Sequence, residues 1–168
     1  MPRIRRLQTA HVGLGSNLAD PARQVRQGIE ELGRLPRTRL TARSSLYRTA
    51  PVGKLDQPDF VNAVAVLETE LSARELLQGL LAVEARHGRV RTEPNGPRTL
   101  DLDLLLLGGQ VIHEPGLDLP HPRMHERAFV LLPLAEVSPD ASIPGRGRVA
   151  DLLARAADQR ATRIDAEG

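Results

Sequence analysis

The chain has 168 residues, 23 of them basic and 21 acidic, for a formal charge of +2. Hydrophobic residues make up 40% and charged residues 26%, which fits one globular domain with a sizeable core and excludes a largely disordered chain. No cysteine is present, which excludes disulfides, thiolate nucleophiles and Cys-ligated zinc or iron–sulfur sites.

The pI of 9.9 invites a nucleic-acid reading. However, Lys54 is the single lysine, so almost all the positive charge is arginine. Arginine keeps its charge to very high pH, lifting the pI without a strong field at pH 7. The basic start, MPRIRRLQTA, is followed by no apolar stretch, so no signal peptide is expected. No apolar run reaches the length of a membrane helix, and a cytoplasmic location is expected.

In chain order, residues 8–15 (QTAHVGLG) read as a first strand. Asp20-Pro21 is a helix start, with Asp20 as N-cap and proline at the first helical position. Ala22, Val25, Ile29 and Leu32 follow at helical spacing. Residues 39–47 read as a second strand, 50–59 (APVGKLDQPD) as a long irregular loop, and 60–68 (FVNAVAVLE) as a third strand. Ser72 with Glu75 forms a capping box ahead of a second helix, and Gly88 is its stop. A second irregular stretch covers 89–98, and a fourth strand covers 99–107. A Pro-rich connection at 113–123 leads to a helical segment near 124–135 and an amphipathic piece at 149–157. A tail frayed after about residue 158 is expected.

The order β-α-β-β-α-β followed by extra helices predicts an α+β, ferredoxin-like fold. Its sheet is expected to be mostly antiparallel, in one domain over residues 1–168.

The fourth strand, within GPRTLDLDLLLL (96–107), places two acids in a leucine run. On a strand, Thr99, Asp101 and Asp103 share one face, and Leu100, Leu102 and Leu104 share the other and enter the core. Two carboxylates about 7 Å apart along a strand repel when both are ionised. A solvated sheet face tolerates such a pair. A divalent cation relieves the repulsion, and hard oxygen ligands without cysteine point to Mg²⁺. Arg89, Arg91 and Arg98 precede the pair, while His121, Arg123, His125 and Arg127 follow it. Acids between two basic, Pro-rich segments resemble a metal–polyphosphate site, since arginine forks bind phosphate oxygens in pairs. The P-loop motif is absent, and GLGSN (13–17) lacks dinucleotide-binding spacing.

Aromatic residues are scarce: Tyr47, Phe60 and Phe129 are all there are. Core packing explains any single phenylalanine. Here leucine, valine and isoleucine already supply the core, and both phenylalanines flank candidate site loops. Asn62 shares the strand face of Phe60. Two aromatic rings with an amide at the edge suit a flat heterocycle.

These stretches together resemble the 6-hydroxymethyl-7,8-dihydropterin pyrophosphokinase family of folate biosynthesis. The resemblance rests on GLGSNL (13–18), SSLYRTAPVG (44–53), DQPDFVNAVAVLET (56–69), GRVR (88–91), GPRTLDLDLLLLG (96–108) and LPHPRMHERAFVLLPLAEVSP (119–139). It implies an αβα-layered fold and transfer of diphosphate from ATP to the pterin hydroxyl, giving AMP and the pterin diphosphate. It further implies two Mg²⁺ ions on Asp101 and Asp103, with Arg89 and Arg98 on the transferring phosphates as catalytic residues. The pterin contacts it implies are Phe60, Phe129, Asn62, Asp101, and the backbone near Thr49 and Val52. The ATP contacts it implies are Arg91, Arg98, Leu104, His121 and Arg127. A monomer acting on these two small molecules, with neither nucleic-acid nor membrane partner, is expected.

Two other classes compete at this level, beside a pseudoenzyme that keeps the fold, against which the intact acidic pair and arginines argue. A Mg²⁺-dependent nuclease or nucleotidyl transferase would use the same acidic pair. An RNA-binding sheet of this fold would stack bases on several aromatics, and this chain has few.

Overall fold

A computed structural model describes residues 6–50, 56–88, 99–159 and 161–164. Strand β1 (Gln8–Ser16) leads through a turn at Ala19 and Asp20 into helix α1 (Pro21–Leu32). Pro21 occupies the first turn as expected, but Asp20 makes no side-chain cap. Its backbone lies in the left-handed region at φ 63, next to Ala19 at φ 53, not in the extended geometry usual for a side-chain N-cap. Gln24 holds this turn instead, donating through Nε2 to the Ala19 carbonyl at 3.0 Å.

The expected second strand is two strands, β2 (Thr38–Arg43) and β3 (Leu46–Thr49). Both pair with the long β4 (Phe60–Thr69), β2 at its far end and β3 at its start. Helix α2 (Ala73–Arg86) begins at the expected capping box: Ser72 Oγ accepts from the Glu75 N–H at 3.1 Å, and Glu75 Oε1 accepts from the Ser72 N–H at 2.9 Å. Gly88, at φ 73, follows its end. Strand β5 (Asp101–Leu107) completes the central pattern.

The Pro-rich connection contains a hairpin of β6 (Ile112–Glu114) and β7 (Leu117–Leu119) that was not expected. The late helical segment is a single 3-10 turn (Met124–Glu126) and then α3 (Ala128–Val137), separated by Arg127 in extended geometry. A short pair, β8 (Ser142–Ile143) with β9 (Gly147–Arg148), precedes α4 (Val149–Arg155). Where a frayed tail was expected, β10 (Ala161–Ile164) pairs antiparallel with β3.

The six described strands of the main sheet run β10-β3-β4-β1-β5, with β2 also on β4, and every described pairing is antiparallel. This is the α+β, ferredoxin-like order read from the sequence. Leu100, Leu102 and Leu104 sit at 0%, 5% and 6% exposure in the core shared with α1 and α2, as alternation predicts. Each such leucine contributes roughly 1.5–3 kcal/mol on burial. Gly28 lets α1 approach closely, since a Cβ there would lie 3.1 Å from Leu14 and Leu100. Val64, Leu105 and Leu106 face the other way into a second core with α3 and α4. A bulge in the β1–β5 ladder lies between His11 and Val12 on the β1 side. The result is three layers, α/β/α.

His11 is buried beneath α3, its Nε2 hydrogen-bonded to Ser138 Oγ at 2.9 Å, and its Nδ1 has no partner among the described residues. Burial lowers its pKa from 6.5. A proton on the buried ring is therefore disfavoured, while the unfolded chain accepts one. The resulting stability is complete above pH 6.5 and is lost as pH falls below it. In urea titrations from about pH 7.5 to about pH 5, the wild type should lose unfolding free energy faster than His11→Leu. Parallel curves would show that His11 does not titrate this way.

Candidate active site

The open part of the second sheet face is built from alternate residues of four strands. Registers place Tyr47, Asn62, Gly15 and Asp101 in one row across β3, β4, β1 and β5. A neighbouring row holds Val64, Gly13 and Asp103. Between the amide side and the acidic side, β1 thus presents two glycines and no side chain. At Gly15 this is obligatory: a Cβ would stand 2.8 Å from Asn62 Oδ1. The GLGSN stretch is mostly strand, and its G-x-G spacing is a period-two strand signal.

The two aspartates are half-buried on this face, opposite to the buried leucines. Between them, the Leu102 N–H donates to Glu84 Oε2 at 2.7 Å. Glu84, an acid in the apolar run of α2, is 3% exposed and ties the helix to the strand that carries the pair. Its one sequence signal was a charge where periodicity called for an apolar residue.

On the amide side, Asn62 is buried, and its Nδ2 donates to Thr49 Oγ1 at 2.7 Å. That commits the amide nitrogen and leaves Oδ1 over Gly15. Phe60 is half-buried and pairs across the ladder with Thr49. Asn17, 1% exposed, donates through Nδ2 to Gln57 Oε1 at 2.8 Å and to the Pro58 carbonyl at 3.0 Å. It thereby fastens the chain that enters β4.

On the acidic side, the backbone runs back along β5, with the His121 N–H donating to the Leu105 carbonyl at 3.0 Å. His121 Nδ1 accepts from the Arg123 N–H at 3.2 Å. In the neutral ring the proton therefore sits on Nε2, which lies 4.0 Å from Asp103 Oδ1. Burial and then the Arg127 charge push the His121 pKa below its ordinary value, partly opposed by Asp101. Phe129 is half-buried against the second core, which includes Val64, and so lies on the same sheet face. The Arg127 guanidinium sits over its ring, 5.4 Å from the centroid.

The structure thus brings Asp101, Asp103, His121, Arg127, Phe129, Phe60, Asn62 and Thr49 to one sheet face or its border. It does not bring the Leu104 side chain there: that side chain lies in the helix-covered core, on the opposite face from the aspartates. Val52, Arg89, Arg91 and Arg98 lie outside the described residues.

Among the described residues, no group of three or more His, Asp or Glu side chains is arranged to enclose a metal ion. The donors present are two carboxylates on one face. That set fits Mg²⁺, which takes one or two carboxylates and completes its shell with water and phosphate oxygens.

Antiparallel sheet, paired helices behind it and an acidic pair on its open face define an α+β domain of the ferredoxin-like class. The model of the 7,8-dihydro-6-hydroxymethylpterin-pyrophosphokinase (HPPK) family matches residues 11–139, and the chain belongs to that family. A 2-amino-4-hydroxy-6-hydroxymethyldihydropteridine pyrophosphokinase of Pseudomonas aeruginosa is 49% identical over 148 residues, covering 88% of this chain and 91% of the relative. The Haemophilus influenzae protein of the same name is 42% identical over 157 residues, covering 94% and 98%. Among solved structures, Plasmodium falciparum HPPK-DHPS with pterin and p-hydroxybenzoate superposes with a TM-score of 0.74 at 13% identity. The superposition covers 98% of this chain and 46% of that longer one, and supports the fold alone.

Proposed function

We propose that the protein transfers diphosphate from ATP to 6-hydroxymethyl-7,8-dihydropterin, giving AMP and the pterin diphosphate, in folate biosynthesis. The row Asn62–Gly15–Asp101 carries this reading. A flat ring lying over Gly15 meets an amide acceptor at one edge and a carboxylate at the other. The adjacent row offers Asp103 with His121 for the anionic co-substrate.

Each residue then has a chemical task. Phe60 and Phe129 supply apolar ring surface. Asn62 Oδ1 accepts from the ring edge, its orientation held by Thr49. His121, neutral near pH 7, offers Nε2–H to a phosphate oxygen. Arg127 adds positive charge beside it. Asp101 and Asp103 would hold two Mg²⁺ ions, which when bound offset phosphate charge and orient the transferring group. Arg89 and Arg98 are assigned to the transferring phosphates, Arg91 to ATP and the Val52 backbone to the pterin, all by family resemblance. Leu104 can serve ATP only through its main chain. The pterin hydroxyl oxygen attacks the β-phosphorus as its proton passes to Asp101 or to solvent, the bond from that phosphorus to the α,β-bridging oxygen breaks, and AMP leaves. Such transfers depend on in-line positioning and charge offset more than on covalent help.

Mg²⁺ dependence, a monomeric state, a cytoplasmic location and a single domain over 1–168 belong to the same proposal. The last is supported by one sheet that draws strands from Gln8 to Ile164. No helix among the described residues is long and apolar enough to cross a membrane.

The deciding assay measures AMP from ATP and Mg²⁺ with and without 6-hydroxymethyl-7,8-dihydropterin. Pterin-dependent AMP is expected. AMP formed regardless of pterin, or ADP as product, would overturn the proposal.

A further inference from the structure

A second carboxylate network sits away from the acidic pair, on α3. Glu136 receives the Ser45 N–H on both oxygens at 3.0 Å, the Ser45 hydroxyl on Oε2 at 3.0 Å, and the Tyr47 hydroxyl on Oε1 at 2.5 Å. One side chain thus fastens helix α3 to the start of β3. The proposed function gives none of these groups a task, although Tyr47 lies in the row that holds Asn62.

The network's place gives it a consequence. Glu136 follows Phe129 by about two helical turns, so the two project from the same side of α3. Tyr47 is buried, and its strand neighbour in register is Asn62. The Glu136–Tyr47 bond therefore joins the helix that carries one aromatic wall to the strand row that carries the amide. We propose that Glu136 is a positioning residue for the pterin, setting through Ser45 and Tyr47 where Phe129 stands over the sheet. This rests on the assignment of Phe129 to the pterin.

The electrostatics agree with a bond that is kept. Burial opposes ionisation of Glu136, but the hydrogen bonds from Tyr47 and Ser45, with Arg163 nearby, hold its pKa below the ordinary value. Burial and the same bond push the Tyr47 hydroxyl up to about 12, so it stays protonated as the donor. The ATP side is anchored separately, because His121 is held to β5 through Leu105.

The test measures pterin affinity calorimetrically in the presence of a non-hydrolysable ATP analogue, and measures affinity for the analogue alone. Glu136→Ala should weaken pterin binding about tenfold, the usual cost of losing charge-assisted hydrogen bonds. Analogue binding should change by less than about threefold, since His121 is held to β5 without Glu136. Tyr47→Phe, which removes one bond and keeps the ring, should show a smaller effect of the same kind. It carries the test if Glu136→Ala fails to fold. In a Phe129→Ala background the Glu136→Ala effect should largely vanish, because it acts through that ring. A structural role alone would lower the melting temperature and weaken both ligands alike, and would overturn the inference. So would additive losses in the double variant. If Phe129→Ala itself leaves pterin affinity unchanged, the ring assignment fails and this inference falls with it. If Phe129→Ala weakens pterin binding and neither Glu136→Ala nor Tyr47→Phe does, this inference alone is wrong.

Discussion

Asp101→Ala and Asp103→Ala should each reduce pterin-dependent AMP formation by about a thousandfold or more, the scale seen when charge stabilisation is removed from a transfer site. The fold should survive both changes. Neither carboxylate is in the core, and their alternate neighbours Leu100, Leu102 and Leu104 keep their burial. Removing one acid relieves like-charge repulsion but also ends that acid's own contacts, so a cooperative melt near the wild-type temperature is expected. Asn substitutions test the charge without the change in size and should lose nearly as much activity. The two positions should differ in binding. Asp101 shares its row with Asn62, so its loss should weaken pterin more. Asp103 faces His121, so its loss should weaken Mg²⁺–ATP more. Turnover near wild type in either Ala variant would overturn the metal assignment.

Phe129→Ala should weaken pterin binding by between about tenfold and a hundredfold, as expected for removing an aromatic wall from a flat ligand. ATP affinity should move by less than about twofold, since His121 is anchored independently. Some stability will go as well, because the ring is half-buried against the second core. Arg127 will also lose a ring contact worth about 0.5–1 kcal/mol at an exposed site. A thermal melt separates that loss from binding. Equal losses for pterin and ATP would show that Phe129 is a packing residue and not a wall.

The acidic pair was legible because its information is local. Asp-Leu alternation fixes which face each residue takes, and the capping box at Ser72 and Glu75 marks a helix start over four residues. What the sequence hid depends on register or on distant partners. Residues 39–47 read as one strand because nothing local shows that β2 and β3 divide β4 between them, with a register shift between Leu40 and Ala42. Gly13 and Gly15 read as strand, but their place in the site stayed hidden because it depends on what the neighbouring strands set beside them. Glu136 carries no local sign that it will find Ser45 and Tyr47. Leu104 combines the two kinds of reading: alternation sends its side chain to the core, so the ATP contact implied by resemblance falls to its main chain.

The pairing of β10 with β3 has a consequence for synthesis. Ala161 lies opposite Thr49, with most of the chain between them. A ribosome delivers β3 long before Ala161–Ile164, so the outer edge of β3 waits unpaired while the central strands assemble. Unpaired edges invite association with other chains, and a charge on the edge discourages it. Arg48, exposed in the middle of β3 and opposite Thr162 in the finished sheet, stands at that position.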